Sequence, residues 1–240
     1  MVMPYIEGTV TVGGNPITQD VKVRGYDLSS PSYWGGFPSG GPDFLDYDAY
    51  SVVSLVDGSY TLSNLTFGHV YMVLVESDDT SCEVKATFYG DVSNSASSIP
   101  IPVTGVMSNI DIDCLPGDGT HPSGVTYNAP HNADFVEVAF FDPDMWISLG
   151  GCVGYPDDDF DMATIAELHV AQPYRLVYMA MDGSFDIINI KFYKNKSWKN
   201  YSQADTVLGG ASGLRLNLGS YITAIPMGSG AHFAIPRRKK

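Results

Sequence analysis

One stretch constrains the fold of this chain more than any other. It runs Asp57-Gly58-Ser59-Tyr60-Thr61-Leu62, then Leu65-Thr66-Phe67-Gly68, then Val70-Tyr71-Met72-Val73-Leu74-Val75. Asp-Gly supplies the positive φ that a tight hairpin needs. Tyr60, Leu62 and Leu65 read as the buried side of a strand. Beyond Gly68, Val70, Met72 and Leu74 alternate with Tyr71, Val73 and Val75, so both faces are apolar. Such a strand belongs inside a sandwich, where each face is covered.

The flanking sequence follows the same pattern. Ile6 to Val12 alternates and stops at Gly13-Gly14-Asn15-Pro16, a strong turn, and Val21-Lys22-Val23-Arg24-Gly25-Tyr26 alternates again. Tyr50 to Val56 leads into the Asp57-Gly58 turn. After the acidic turn Glu76-Ser77-Asp78-Asp79 come Cys82 to Tyr89, a Gly90-Asp91 turn, Ile99-Pro100-Ile101-Pro102-Val103 and Asn109-Ile110-Asp111-Ile112-Asp113-Cys114. Short strands at regular spacing with turn signals predict an all-β Greek-key sandwich of transthyretin or immunoglobulin type. Between the second and third strands lies a long segment, 27–48, rich in Ser, Gly and Pro and carrying Tyr33, Trp34, Phe37, Phe44 and Tyr47. The composition agrees: 25 Gly, 15 Pro and 15 Tyr, with 17% charged residues, favour strands and loops over helices.

The motifs Gly8-Thr-Val-Thr-Val-Gly-Gly-Asn-Pro16, Val21-Lys-Val23, Asp57-Gly-Ser-Tyr-Thr-Leu62, Leu65-Thr-Phe-Gly68, Tyr71-Met-Val-Leu-Val75, Tyr89-Gly90 and Ile110-Asp111-Ile112 stand in an order that resembles a carboxypeptidase regulatory-like (transthyretin-like) domain. The resemblance covers most of residues 5–115. It implies a seven- or eight-strand sandwich that acts as a scaffold or interaction module, and it implies no peptidase activity. The aromatic insert departs from the compact pattern of that family.

A length of 240 residues accommodates one large or two small domains. Pro116-Gly117-Asp118-Gly119 opens a natural linker, 116–123. Beyond it the first half is echoed: Gly124 to Pro130 matches Gly8 to Pro16, Val136 to Asp142 matches Val21 to Asp27, and Arg175 to Ile190, with Asp182-Gly183-Ser184-Phe185, matches Tyr50 to Leu65. The expectation is two sandwiches in tandem, 1–115 and 124–240, the second diverged and ending in an arm. Its one short helix is expected over 162–170, capped by Asp161, with Pro173 beyond its end.

Chemistry-bearing motifs are sparse. Asp157, Asp159 and Asp161 have the one-three-five spacing of a calcium loop, but Met162 and Leu168 stand where an EF-hand needs Gly and Glu. The bland alternative is an acidic loop capping the helix. Asp111 and Asp113 read as exposed solubilising carboxylates. His69, His121, His131, His169 and His232 form no zinc or metalloprotease spacing, and no nucleophile elbow appears. No catalytic residue, metal site or cofactor is therefore assigned. Three cysteines, Cys82, Cys114 and Cys152, lack metal-type spacing; Cys82 and Cys114 pair across the sandwich in one reading, and all three are reduced in the other.

A net charge of −14 argues against a nucleic-acid surface, and no apolar run approaches 18 residues, so neither nucleic acid nor membrane is an expected partner. Met1-Val2-Met3-Pro4-Tyr5 runs straight into strand-like sequence without the charged and apolar leader of an exported protein. A module resembling those displayed outside cells, but lacking an export signal, fits a virus particle assembled in the cytoplasm. The expectation is a non-enzymatic structural component of a tailed-phage virion, in the head, neck, tail or fibre. Its partners would be other virion proteins and further copies of itself. Its contacts would lie in 27–48, through Tyr33, Trp34, Phe37, Phe44 and Tyr47, and in 227–240. The alternative is a secreted or cell-surface module that binds proteins or glycans, since aromatic side chains on Gly-rich loops also stack on sugars.

Overall fold

The computed structural model describes residues 3–34, 41–77, 84–117, 126–129, 132–155, 168–184 and 187–218. The protein is nearly all β. It divides into two compact units, one of Met1–Tyr33, Leu45–Thr120 and Ala166–His169, the other of Trp34–Phe44, His121–Ile165 and Val170–Lys240. The division at residue 120 falls inside the stretch read as linker, but two short segments are exchanged across it. Among the described residues, no helix is long and apolar enough to cross a membrane.

The first unit is a two-sheet sandwich. One sheet is centred on β1 (Tyr5–Val12), which pairs with β2 (Asn15–Pro16) and β5 (Ser59–Leu62) antiparallel, and with β9 (Val106–Met107) and β10 (Ile112–Cys114) parallel. The other runs β4 (Ala49–Val52), β3 (Val21–Asp27), β6 (Val70–Ser77), β7 (Thr87–Phe88), with β8 (Ile101–Pro102) also on β6. Ile6, Val10, Leu62 and Ile112 from one sheet meet Val21, Val23, Val73 and Val75 from the other in one core. Met72, Leu74, Tyr26 and Phe88, on the opposite face of the second sheet, are buried too. The two-faced apolar run of β6 therefore has the environment that its sequence demands.

The Asp57-Gly58 turn differs from the tight hairpin expected. It joins β4 of one sheet to β5 of the other, so it is a four-residue corner, closed by Ser54 N–H to Ser59 C=O at 2.8 Å. Asp57 Oδ1 accepts from Ser59 N–H and Oγ–H, bonds that hold its carboxyl below the usual range. Gly58 has φ +72° and its C=O accepts from Val10 N–H. Asp111 and Asp113 are exposed, as read, and they also serve as acceptors. Asp111 accepts from Thr9 N–H and Oγ1–H, and Asp113 from Thr11 Oγ1–H and Gly14 N–H. Together they fasten the last strand of the unit to the first.

The second unit has a six-stranded antiparallel sheet and a two-stranded parallel one. The larger runs β13 (Ser148–Gly154), β12 (Phe135–Phe141), β14 (Pro173–Met181), β15 (Ile187–Phe192), β16 (Lys196–Ser197), with β17 (Thr206–Leu208) on β14. The smaller pairs β11 (Thr126–Asn128) with β18 (Arg215–Asn217). This topology parallels the first unit: first and last strands pair parallel, as β1 and β10 do, and β12 lies between β13 and β14 as β3 lies between β4 and β6. Asp27 and Asp142 end the equivalent strands alike, each Oδ1 accepting from the N–H groups two and three residues on.

That correspondence corrects one anchor of the repeat. The topological counterpart of β14 is β6, not Tyr50 to Leu65. Asp182-Gly183-Ser184 makes the same local turn, Ser184 N–H to Asp182 Oδ1 at 2.9 Å, but within a hairpin of a single sheet. Most of the expected helix, like Asp157, Asp159 and Asp161, lies outside the described residues, as do Cys82 and residues 219–240. The described helical segment of this unit is a 3-10 helix, Trp198–Gln203. Cys114 is a free, buried thiol, pushed up to about 12 by burial.

Two predictions follow from buried groups. Gly58→Ala asks Ala for a positive φ and puts its Cβ within 2.6 Å of the Val10 carbonyl oxygen, so urea unfolding should show a loss of about 1–3 kcal/mol. Glu137, on β12, is 2% exposed, and its Oε1 has no hydrogen-bond partner among the described residues. Burial pushes its carboxyl up to about 8. Above the ordinary carboxylate value of 4.5 the unfolded chain is ionised while the folded one still holds its proton, so stability falls with rising pH up to about 8 and then levels. Glu137→Gln should remove this fall, which is at most about 1.4 kcal/mol per pH unit, in denaturant titrations from pH 5 to 9.

Candidate functional site

The insert 28–48 is anchored by carboxylates. Asp27, buried at the end of β3, takes the ring of His69 at 2.6 Å through Oδ2. Burial alone would raise its carboxyl; the His69 hydrogen bond and the Ser30 and Ser29 N–H groups instead hold it below the ordinary value. The staple is therefore intact above the usual carboxylate range and is lost as pH falls through the depressed value. Asp48, at the other end, accepts from Asp27 N–H and Ser32 Oγ–H. An imidazole held by a carboxylate is also a motif of general-base catalysis. Here the second carboxylate oxygen closes a turn, and Ser29 Oγ accepts from Val70 N–H, so the group reads as a fastening of the insert.

From that base the two arms of the insert pair. Asp46 N–H donates to Ser32 C=O, Tyr33 bridges Leu45, and Trp34 N–H donates to Phe44 C=O. The segment Trp34–Phe44 belongs to the second unit. There Phe44 is 1% exposed, with ring centroids 4.6 Å from Phe141, 5.7 Å from Trp146 and 5.9 Å from Trp198. Trp34, half-buried, lies edge-on to Phe141 at 6.3 Å. Gly41 has no side chain because any Cβ would overlap the Trp198 indole. These tilted and edge-to-face geometries suit the aromatic quadrupole and add to the area buried.

The five expected contact residues are thus sorted into different roles. Phe44 is a core residue of the second unit, and Trp34 packs beside it. Phe37 lies outside the described residues. Tyr33 and Tyr47 remain at the surface of the first unit, Tyr33 at 53% exposure and Tyr47 half-buried. Tyr47 carries the guanidinium of Arg24 5.0 Å above its ring and meets Tyr50 edge-on at 6.0 Å. Arg24 is in turn held by Glu76 at 2.5 Å.

Tyr50 and Val52 complete the surface, and they were not among the expected contacts. They lie on β4, the end strand of its sheet, and are 60% and 54% exposed. Leu55 and Val56 follow, exposed, on the corner to β5. Their signal was present in the sequence: a strand that alternates Ala49, Ser51, Val53 with Tyr50 and Val52 shows apolar residues on both faces. Burial of the first set leaves the second outside. An end strand also presents N–H and C=O groups to a further strand. Val53 N–H donates to Val21 C=O, and this phase turns the N–H and C=O of Tyr50 and Val52 away from β3. The result is a surface suited to a protein partner: tyrosines, a β-branched residue, and an open strand edge.

A concave feature lies in the second unit, an open cleft of ≈ 600 Å³ beside Tyr193, Thr206 and Ser212. The Lys194–Asp205 pair at 2.9 Å sits at it, and both side chains are more than half exposed, so their attraction is largely screened. Among the described residues, no three His, Cys, Asp or Glu groups converge to hold a metal ion.

Phe44 and Tyr50 should therefore respond oppositely to truncation. Phe44→Ala should destabilise the protein by about 3–5 kcal/mol, seen as a lower urea midpoint, because it empties an aromatic core. Tyr50→Ala should leave the midpoint within about 0.5 kcal/mol.

No family model matches the chain, and no curated protein matches it. Among solved structures, the chain is similar to a candidate adhesin from Bacteroides ovatus, at 9% identity and a TM-score of 0.23, over 92% of this chain and 94% of that one. A likeness at that score carries no argument about fold or function.

Proposed function

We propose that this protein is a non-enzymatic structural component of a virus particle, of tailed-phage type, that acts through protein–protein contacts. One observation carries the reading: the exposed row Tyr50 and Val52 on the open edge of β4, continued by Leu55 and Val56 and flanked by Tyr33 and Tyr47. Aromatic anchors on a rigid strand lose little side-chain freedom on binding, so they favour stable contacts in a multi-copy assembly. The resemblance of residues 5–115 to the carboxypeptidase regulatory-like domain supports a scaffold role in the same sense. In this reading the protein is made in the host cytoplasm, resides in the head, neck, tail or fibre, and meets other virion proteins and copies of itself. Nucleic acid, membrane and cofactor have no part in it.

The test is incorporation. Particles purified by density should contain the protein in fixed stoichiometry by mass spectrometry, and antibody should decorate them at one structural location. A Tyr50→Asp, Val52→Lys variant with an unchanged circular dichroism spectrum should fail to incorporate. Particles that lack the protein, together with retention of the purified protein on a glycan array, would replace the virion reading with the adhesion one.

A further inference from the structure

The open cleft of the second unit has a volume that suits a small molecule. Bonded backbone builds its walls. Tyr193 and Lys194 stand on the turn between β15 and β16, where Asn195 has φ +60° and its Oδ1 accepts from Tyr178 Oη–H and Asn217 N–H. Tyr193 N–H donates to Leu176 C=O. Thr206 and Leu208 stand on β17, which pairs with the start of β14. The chain then turns back: Gly209 N–H donates to Gln172 C=O, Gly210 N–H to Val170 C=O and Ala211 N–H to Leu208 C=O. Gly210 has no room for a side chain, since a Cβ would come within 2.7 Å of Val170 Cγ1. A ligand therefore finds most of the shape in place and spends little on ordering it.

The lining combines three kinds of group. Val170 and Leu208 are apolar and exposed, at 46% and 53%. The hydroxyls of Tyr193, Thr206 and Ser212 make no hydrogen bond with the described residues, and Thr206 and Ser212 are exposed. Lys194 Nζ and Asp205 Oδ2, 2.9 Å apart, set a donor beside an acceptor. That pair is neutral as a whole, so an anion is opposed by Asp205 and a cation by Lys194. Lys196 and Arg175 act on the Asp205 charge without pairing with it, Arg175 being held by Ala204 C=O and over the Trp146 ring. A hydroxyl group both donates and accepts, so two adjacent hydroxyls can bridge a Lys–Asp pair. A sugar ring carries adjacent hydroxyls on its rim and C–H groups on its faces, and so matches the polar and the apolar lining together.

We propose that this cleft binds a neutral saccharide, with one pyranose ring against Val170, Leu208 and Tyr193 and two adjacent hydroxyls on Lys194 and Asp205. The site shares no residue with the Tyr50 and Val52 row, so it is a binding function separate from the proposed assembly contact. The cleft is open and its ion pair is screened by solvent, so a single ring binds weakly, with a Kd on the order of 1 mM. Several copies held in one assembly raise this by avidity.

NMR titration of the isotopically labelled full chain tests the site, with the methyl glycosides of glucose, galactose, mannose and N-acetylglucosamine as probes. For at least one of them, backbone amide shifts should gather at residues 193–194 and 205–212, with half-saturation at about 1 mM. Lys194→Met and Asp205→Asn, both on exposed side chains, should each weaken binding roughly ten-fold with an unchanged circular dichroism spectrum. Tyr50→Ala should leave it unchanged. Absence of shifts with every glycoside up to about 50 mM overturns the inference. So do shifts confined to other parts of the chain, and binding that both cleft variants leave intact. Shifts with methyl glucuronide or a glutamate-rich peptide, and with none of the neutral glycosides, would make the cleft an anion site and equally overturn it. Incorporation of the two cleft variants into particles should stay at the wild-type level, which keeps a failure here distinct from a failure of the assembly role.

Discussion

Two long antiparallel pairings carry the rest of the molecule. β3 lies against β6 and β12 against β14, each over seven consecutive residue pairs, and β6, β12 and most of β14 are buried on both faces, while Lys22 and Arg24 leave one face of β3 partly open. Where both faces are covered, water does not reach the backbone, so its N–H and C=O groups must be bonded within the sheet. The apolar content of the strands then drives burial of both faces, at about 25 cal/mol for each Å² removed from water. Other features respond to this demand. The sandwich core covers one face of β6, and an aromatic layer that includes Phe44 and Trp198 covers one face of β12 and β14. The cost is a buried carboxyl, Glu137, whose Oε1 has no hydrogen-bond partner among the described residues.

The strand ends are secured by carboxylates used as acceptors. Asp27 and Asp142 close the turns after the two equivalent strands, Asp57 closes the corner between sheets, and Asp111 and Asp113 tie β10 to β1. A chain with this negative charge thus devotes several of its acids to hydrogen-bond donors, and these lower the carboxyl values: chiefly His69 for Asp27, the Ser59 hydroxyl for Asp57 and the Gly14 N–H for Asp113. These bonds fix positions at which loops depart. The aromatic insert leaves from Asp27 and returns at Asp48, and β4 begins at the next residue, so the same anchors set the orientation of the exposed tyrosines.

Much of this was legible from local pattern. The strands, the turn chemistry of Asp57-Gly58-Ser59 and the matching of Val136–Asp142 to Val21–Asp27 are nearest-neighbour features, and local sequence specifies them. The third anchor of the repeat misled because Asp-Gly-Ser reports a turn, not which strands the turn connects. At Asp57 the chain changes sheets; at Asp182 it does not. The insert misled in the same way. Its composition shows aromatic residues on a Gly-rich loop, and that composition suits a buried layer as well as an exposed one.

The sequence by itself determined an all-β sandwich fold, the positions of most strands, and the presence of an aromatic insert between β3 and β4. These follow from periodicity and turn residues, which act over a few positions. Only the tertiary structure decided which aromatics are core and which are surface. Phe44 and Tyr50 stand six residues apart in similar company, yet one is enclosed by Phe141, Trp146 and Trp198 and the other lies on an open strand edge. That difference arises from contacts between residues nearly one hundred or more positions apart, which no local pattern encodes.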